Sequence, residues 1–153
     1  MANFLITSPG LLTEGSTEAD LLEVAAAAAS GATVFGHGGD DKIKLSSDVT
    51  NISHSNFRGN TGNDVISADG IDSLESANVF GGGQGNDTML GGKGNDTYIV
   101  DSVSDRVKES KNEGTDLIQA SVSYTAPEHV ESIELKGSNK IDATGNDHNN
   151  RLT

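Results

Sequence analysis

The residues whose types and spacing could do chemistry are aspartates that close short glycine-rich turns. Residues 36–44 (GHGGDDKIK), 59–67 (GNTGNDVIS), 82–90 (GGQGNDTML) and 91–99 (GGKGNDTYI) superimpose, and the last two match G-G-x-G-x-D-x-U-x, with U apolar, at every fixed position. Their aspartates, Asp41, Asp64, Asp87 and Asp96, stand 23, 23 and 9 residues apart. Glycine in such a turn permits a positive φ and leaves backbone carbonyls bare, while aspartate at the exit offers a hard anionic oxygen. One turn is therefore half a cation site. A second turn stacked one coil away, roughly 4.8 Å along a parallel ladder, would supply the rest.

Weaker copies flank these four. Residues 15–23 (GSTEADLLE) put Asp20 in register 21 residues before Asp41, with Glu18 where glycine belongs. Residues 112–119 (NEGTDLIQ) keep Gly114, Asp116 and Ile118, and residues 145–153 (GNDHNNRLT) have Asn150 at the aspartate position, which reads as a metal-free turn. The same residues also fit a turn array without any ion, in which Asn60, Asn63, Asn86 and Asn95 form ladders.

The elements that must position these turns follow from two apolar registers. Seven residues before an aspartate stand Val34, Phe57 and Phe80; two residues after stand Leu22, Ile43, Ile66, Met89, Tyr98 and Ile118, and Val24, Leu45 and Ala68 lie four after. Alternation of this kind is strand-like, so each coil carries two strands. Stacking the coils places Leu22, Ile43, Ile66 and Met89 in one inward ladder and Val34, Phe57 and Phe80 in the facing one. The expected fold is all-β: a right-handed parallel β-roll or β-solenoid, with residues 25–31, 46–54 and 69–76 as edge loops. Residues 98–100, 120–124, 130–135 and 140–143 read as further strands. Residues 17–30 also read as a capped, alanine-rich amphipathic helix.

Composition bounds the rest. The 153 residues suit one domain, and 33% hydrophobic with 4% aromatic content allows only a thin core, which repetition can supply. A net charge of −13 argues against a nucleic-acid partner. With no cysteine there are no disulfides and no thiolate metal sites. No apolar run approaches the roughly 20 residues of a membrane span. Residues 1–7 lack the basic start of a secretory signal, and the alanine run at 25–29 reads as mature sequence. His37, His54, His129 and His148 show no ligand spacing. Neither G-x-S-x-G nor a phosphate-binding loop occurs, and Asp40 beside Asp41 falls at the variable position of its turn, so the chain is expected not to be an enzyme.

By its nonapeptides the chain resembles the RTX, or haemolysin-type, calcium-binding repeat family. The tail, with DTYIVD, EGTD, SVSYT and HVESIEL, is similar to segments that follow such repeats in bacterial exported proteins. The resemblance implies Ca2+ as the cofactor and Asp87 and Asp96 as its firmest ligands, with carbonyls from Gly82, Gly83, Gly85, Gly91, Gly92 and Gly94. Asp41 and Asp64 follow, with Gly36, Gly59 and Gly62, although His37 and Asn60 replace the second glycine; Asp116 comes last. It further implies one domain over residues 1–153: an eroded N-terminal coil or cap (1–35), the main calcium repeats (36–101) and looser C-terminal coils (102–153).

The expected function is a calcium-binding structural module, secreted or on the cell surface, whose folding is coupled to calcium as in type I export. Two other readings are a virion component built on a calcium-locked solenoid, and the non-catalytic repeat module of a larger secreted enzyme. Expected partners are calcium ions and, through acidic surfaces or open coil ends, further copies or a surface assembly, with no nucleic acid and no membrane span.

Overall fold

The computed structural model describes residues 3–6, 12–25, 31–46, 49, 53–68 and 77–153. The chain winds as a parallel β-solenoid of two facing sheets. The first has six strands in the order β1 (Asn3–Ile6), β3 (Leu21–Val24), β5 (Lys42–Leu45), β7 (Val65–Ser67), β9 (Thr88–Leu90) and β11 (Arg106–Lys108). The second has eight: β2 (Leu12–Glu14), β4 (Thr33–Gly38), β6 (Asn56–Thr61), β8 (Val79–Gln84), β10 (Thr97–Val100), β12 (Leu117–Ala120), β14 (Ser132–Leu135) and β16 (Arg151–Leu152). A small third sheet pairs β13 (Tyr124–Thr125) with β15 (Ala143–Thr144).

The alternation that marks the strands also builds the core. In β3 and β5, inward Leu22, Val24, Ile43 and Leu45 are buried, while the intervening Lys42 and Lys44 are exposed. Register then aligns Leu22 with Ile43, Ile66, Met89 and Val107 on one sheet. Facing them, Val34, Phe57, Phe80, Tyr98, Ile118 and Ile133 form the second ladder. Phe80 stacks on Phe57 at 5.3 Å between ring centroids and on Tyr98 at 5.6 Å. Stacked rings along a parallel ladder let few aromatics fill a core only two side chains deep.

Tyr98 and Ile118, whose ladder the sequence left open, join the Phe80 ladder, because nine residues from Asp87 to Asp96 make half a coil. The alternative reading of 17–30 as a helix is overturned where it is described: residues 21–24 are strand β3, paired with β1 and β5. Propensity yields to the ladder, which satisfies every backbone group of the segment and buries Leu22 and Val24. Residues 26–30, and the expected edge loops at 47–48, 50–52 and 69–76, lie outside the described residues.

Beyond β11 the first sheet is not continued. The chain turns into β13, where the Tyr124 hydroxyl donates to the Asp105 carbonyl at 2.8 Å and closes that side. The expected strand at 120–124 is thus only its two ends, Ala120 in β12 and Tyr124 in β13. Among the described residues no helix is long and apolar enough to cross a membrane.

Candidate metal centre

Each coil turns twice, and at most of the described turns the residue immediately before the next strand is polar and at least partly buried, Ala32 before β4 being apolar and Glu131 before β14 only half-buried. Along one edge these residues are Asp20, Asp41, Asp64, Asp87 and Asp105, which precede the strands of the first sheet. Along the other they are Ser55, Asn78, Asp96, Asp116 and Glu131, which precede strands of the second. Both rows are wired in the same way. On the first edge the backbone N–H of Asp20 donates to Asp41 Oδ1 (2.8 Å), Asp41 to Asp64 (2.7 Å), Asp64 to Asp87 (2.7 Å) and Asp87 to Asp105 (3.0 Å). On the second, Ser55 N–H donates to Asn78 Oδ1 (3.2 Å), Asn78 to Asp96 (2.8 Å), Asp96 to Asp116 (2.8 Å) and Asp116 to Glu131 (2.7 Å).

One oxygen of each side chain thus ties its coil to its neighbour, and the fate of the other separates the middle of a row from its ends. Asp20 Oδ2 accepts from Ser16 N–H at 2.6 Å, and Asp105 Oδ2 accepts from Asp101 and Ser102 N–H at 3.2 and 3.1 Å. By contrast the Oδ2 atoms of Asp41, Asp64, Asp87, Asp96 and Asp116 are buried with no hydrogen-bond donor. Buried carboxylate oxygens are held by donors or by cations, since leaving one bare costs several kcal/mol, on the order of ~1–3 or more. Burial accordingly raises these carboxyls, against the pull of their backbone donors and with neighbouring acids adding to the rise: Asp64, Asp96 and Asp116 to about 7, Asp87 to about 6, and Asp41 in the same direction.

The donor set fits a hard divalent cation. Four of these five oxygens point back over the first glycine of their own turn: Asp41 over Gly36, Asp64 over Gly59, Asp87 over Gly82 and Asp96 over Gly91. Over Gly36 the carbonyl of Gly59, one coil on, lies only 2.8 Å from where a Cβ would stand, so carboxylate and carbonyl of successive coils converge there. All-oxygen donors without sulfur or imidazole suit calcium or magnesium and not zinc. His37 and Asn60 occupy the second-glycine position with φ of 77° and 79°, beside Gly83 at 93°, so the turn geometry survives both replacements. His129 and His148 stack at 5.8 Å, without joining any group of three potential ligands among the described residues.

The sequence-predicted ligands are therefore divided between two edges. Gly36, Asp41, Gly59, Gly62, Asp64, Gly82, Gly83, Gly85 and Asp87 share the first edge in register. Gly91, Gly92, Gly94, Asp96 and Asp116 lie on the second, so the two complete motifs do not face one another. Coil length varies along the chain: aspartates paired across coils on the first edge stand 21 residues apart from Asp20 to Asp41, 23 apart from there to Asp87, and 18 apart from Asp87 to Asp105. Asp105, Ser55, Asn78, Glu131 and Glu109 were not expected. Asp105 carries the usual apolar residue two positions on, Val107, which could have revealed it; Glu109 has no sequence signal. Its Oε1 accepts from the Tyr98 hydroxyl, its Oε2 is buried and bare, and it comes together with Asp96 and Asp116. Burial first, then the two aspartates against the Tyr98 hydrogen bond, raise its carboxyl to about 9.

One glycine tests this geometry. A Cβ on Gly82 would strike Oδ2, Cγ and Cβ of Asp87. Gly82→Ala is expected to cost about 1–3 kcal/mol, as overpacking does, and to raise the calcium needed for folding; an unchanged calcium titration and denaturation midpoint would contradict it.

A parallel solenoid whose turns carry rows of buried aspartates over glycines is, as a class, a cation-binding β-roll. A family model for the RTX calcium-binding nonapeptide repeat matches residues 55–70 and 72–107 in four copies, so this stretch of the chain carries calcium-binding repeats of that type. No curated protein and no solved structure gives a significant match.

Proposed function

We propose that the chain is a single-domain structural module of an exported or cell-surface protein, not an enzyme, and that calcium switches its folding on. The observation that carries this reading is the contrast within one row: Asp41, Asp64 and Asp87 each have a bare buried oxygen, while Asp20 and Asp105 at the ends are satisfied by backbone donors. In this reading Asp41, Asp64 and Asp87 hold calcium on the first edge with carbonyls of the glycine turns, and Asp96 and Asp116 hold it on the second. Sites with affinities near ~10⁻⁴–10⁻³ M, typical of extracellular modules, fill outside a cell and stay empty inside it. Such repeats typically occur in exported proteins.

The test compares two aspartates of the same row. Asp87→Ala is expected to raise the calcium midpoint of folding about tenfold, the effect of losing one charged ligand. Asp20→Ala, whose partner is a backbone N–H, is expected to shift it by about twofold or less. Calcium titrations followed by far-UV circular dichroism distinguish the two, and equal shifts would remove the basis for the reading.

A further inference from the structure

The nonapeptides supply one carboxylate per turn, but one place on the second edge gathers three. Carboxylate oxygens of Asp96, Glu109 and Asp116 all lie within 4.8 Å of one another. Asp96 and Asp116 sit before adjacent strands, β10 and β12, and are 1% exposed. Glu109 belongs to no repeat: it follows β11 of the opposite sheet and reaches this edge as the chain crosses back. The second, independent observation is that each of the three ends in a buried oxygen without a donor, Oδ2 of both aspartates and Oε2 of Glu109. Tyr98 holds the remaining Glu109 oxygen from the core side, and the Tyr98 hydroxyl, Asp96 Oδ2 and Glu109 Oε1 are the atoms nearest to a Cβ built on Gly91.

We propose that Glu109 completes a three-carboxylate calcium site with Asp96 and Asp116, chemically distinct from the single-carboxylate turns of the first edge. This rests on the reading that calcium serves the bare oxygens, and it goes further by naming a ligand outside the repeat and one site of higher charge. Three anions on one ion raise affinity through ligand charge, so this site fills before the first-edge sites and favours trivalent ions of similar size. It joins the two coils that β10 and β12 begin to a residue of the other sheet, across the point where the first sheet ends.

The chain has two tyrosines and no tryptophan, so a Tyr124→Phe protein carries Tyr98 as its sole aromatic donor to a bound lanthanide. Terbium added to that protein is expected to give tyrosine-sensitised emission at the lowest concentrations, reversed by calcium and not by magnesium. Glu109→Gln, which keeps shape and the ability to accept from Tyr98, is expected to weaken this binding about tenfold. Asp147→Asn, at an exposed carboxylate outside both rows, is expected to leave it within about twofold. Calorimetric calcium titrations of the unaltered protein and of Glu109→Gln run alongside. If calcium binds with the same affinities in both and the terbium curve does not move, Glu109 is no ligand and this proposal falls while the broader reading stands. If the unaltered protein binds no calcium at all, the broader reading falls first.

Discussion

Stripped of calcium by a chelator at neutral pH, the protein is expected to lose its β-sheet circular dichroism and to regain it between roughly 10⁻⁵ and 10⁻³ M calcium, with magnesium ineffective. Among the described residues five aspartates bury an oxygen that no donor reaches, and an uncompensated buried charge costs several kcal/mol. Domains of this size have only about 5–15 kcal/mol of net stability, so the array cannot remain charged and folded without cations. Magnesium fails because it demands a small octahedron and keeps its waters. A chelated protein with an unchanged β spectrum would mean that the strand ladders suffice.

The same argument fixes a sign for pH. In the metal-free folded state burial raises the carboxyls of Asp64, Asp96 and Asp116 to about 7 and Asp87 to about 6, against an ordinary 3.8. Between those values the folded state holds more protons than the unfolded one, so stability is greatest near or below pH 4 and falls as pH rises through about 7. Chelated protein is therefore expected to regain β structure on acidification, while calcium, which displaces those protons, binds more tightly as pH rises. Chelated protein that grows more stable from pH 4 to 7 would contradict the assignment.

The second large effect belongs to the core. Phe80→Ala removes the ring that stacks on both Phe57 and Tyr98 in the centre of the ladder. A buried phenylalanine truncated to alanine costs about 3–5 kcal/mol, and in a core two side chains deep the neighbours have nothing to collapse onto. Calcium cannot restore the lost packing, so the variant is expected to unfold at much lower denaturant even with saturating calcium. A calcium-saturated midpoint within ~1 kcal/mol of the unaltered protein would show that the turns, and not the ladder, carry the fold.

Much of this was legible from residues alone because solenoids translate sequence period into space. The ladders Leu22–Ile43–Ile66–Met89 and Val34–Phe57–Phe80 stand where alternation and the 21- and 23-residue spacings place them. What residues alone left open was where the nine-residue step from Asp87 to Asp96 lands. In sequence it is a repeat; in space it is half a coil, so Tyr98 and Ile118 change sheets and the two complete motifs face different edges. The helix alternative for 17–30 fails at residues 21–24 for a different reason: helix propensity is worth tenths of a kcal/mol per residue, less than the strand pairing and burial that override it in β3.

By itself, then, the sequence determined the repeat, the two-stranded coil, the glycine turns and the aspartates that close them, since each depends on residue type at a fixed short spacing. Only the tertiary structure decided which carboxylates meet. Asp20 and Asp41 occupy the same register, yet one finds a backbone donor at Ser16 and the other does not. Glu109 reaches Asp96 and Asp116 only because the chain crosses from the end of one sheet to the edge of the other. Such meetings depend on coil length and on where a sheet stops, and those are set by packing over the whole solenoid.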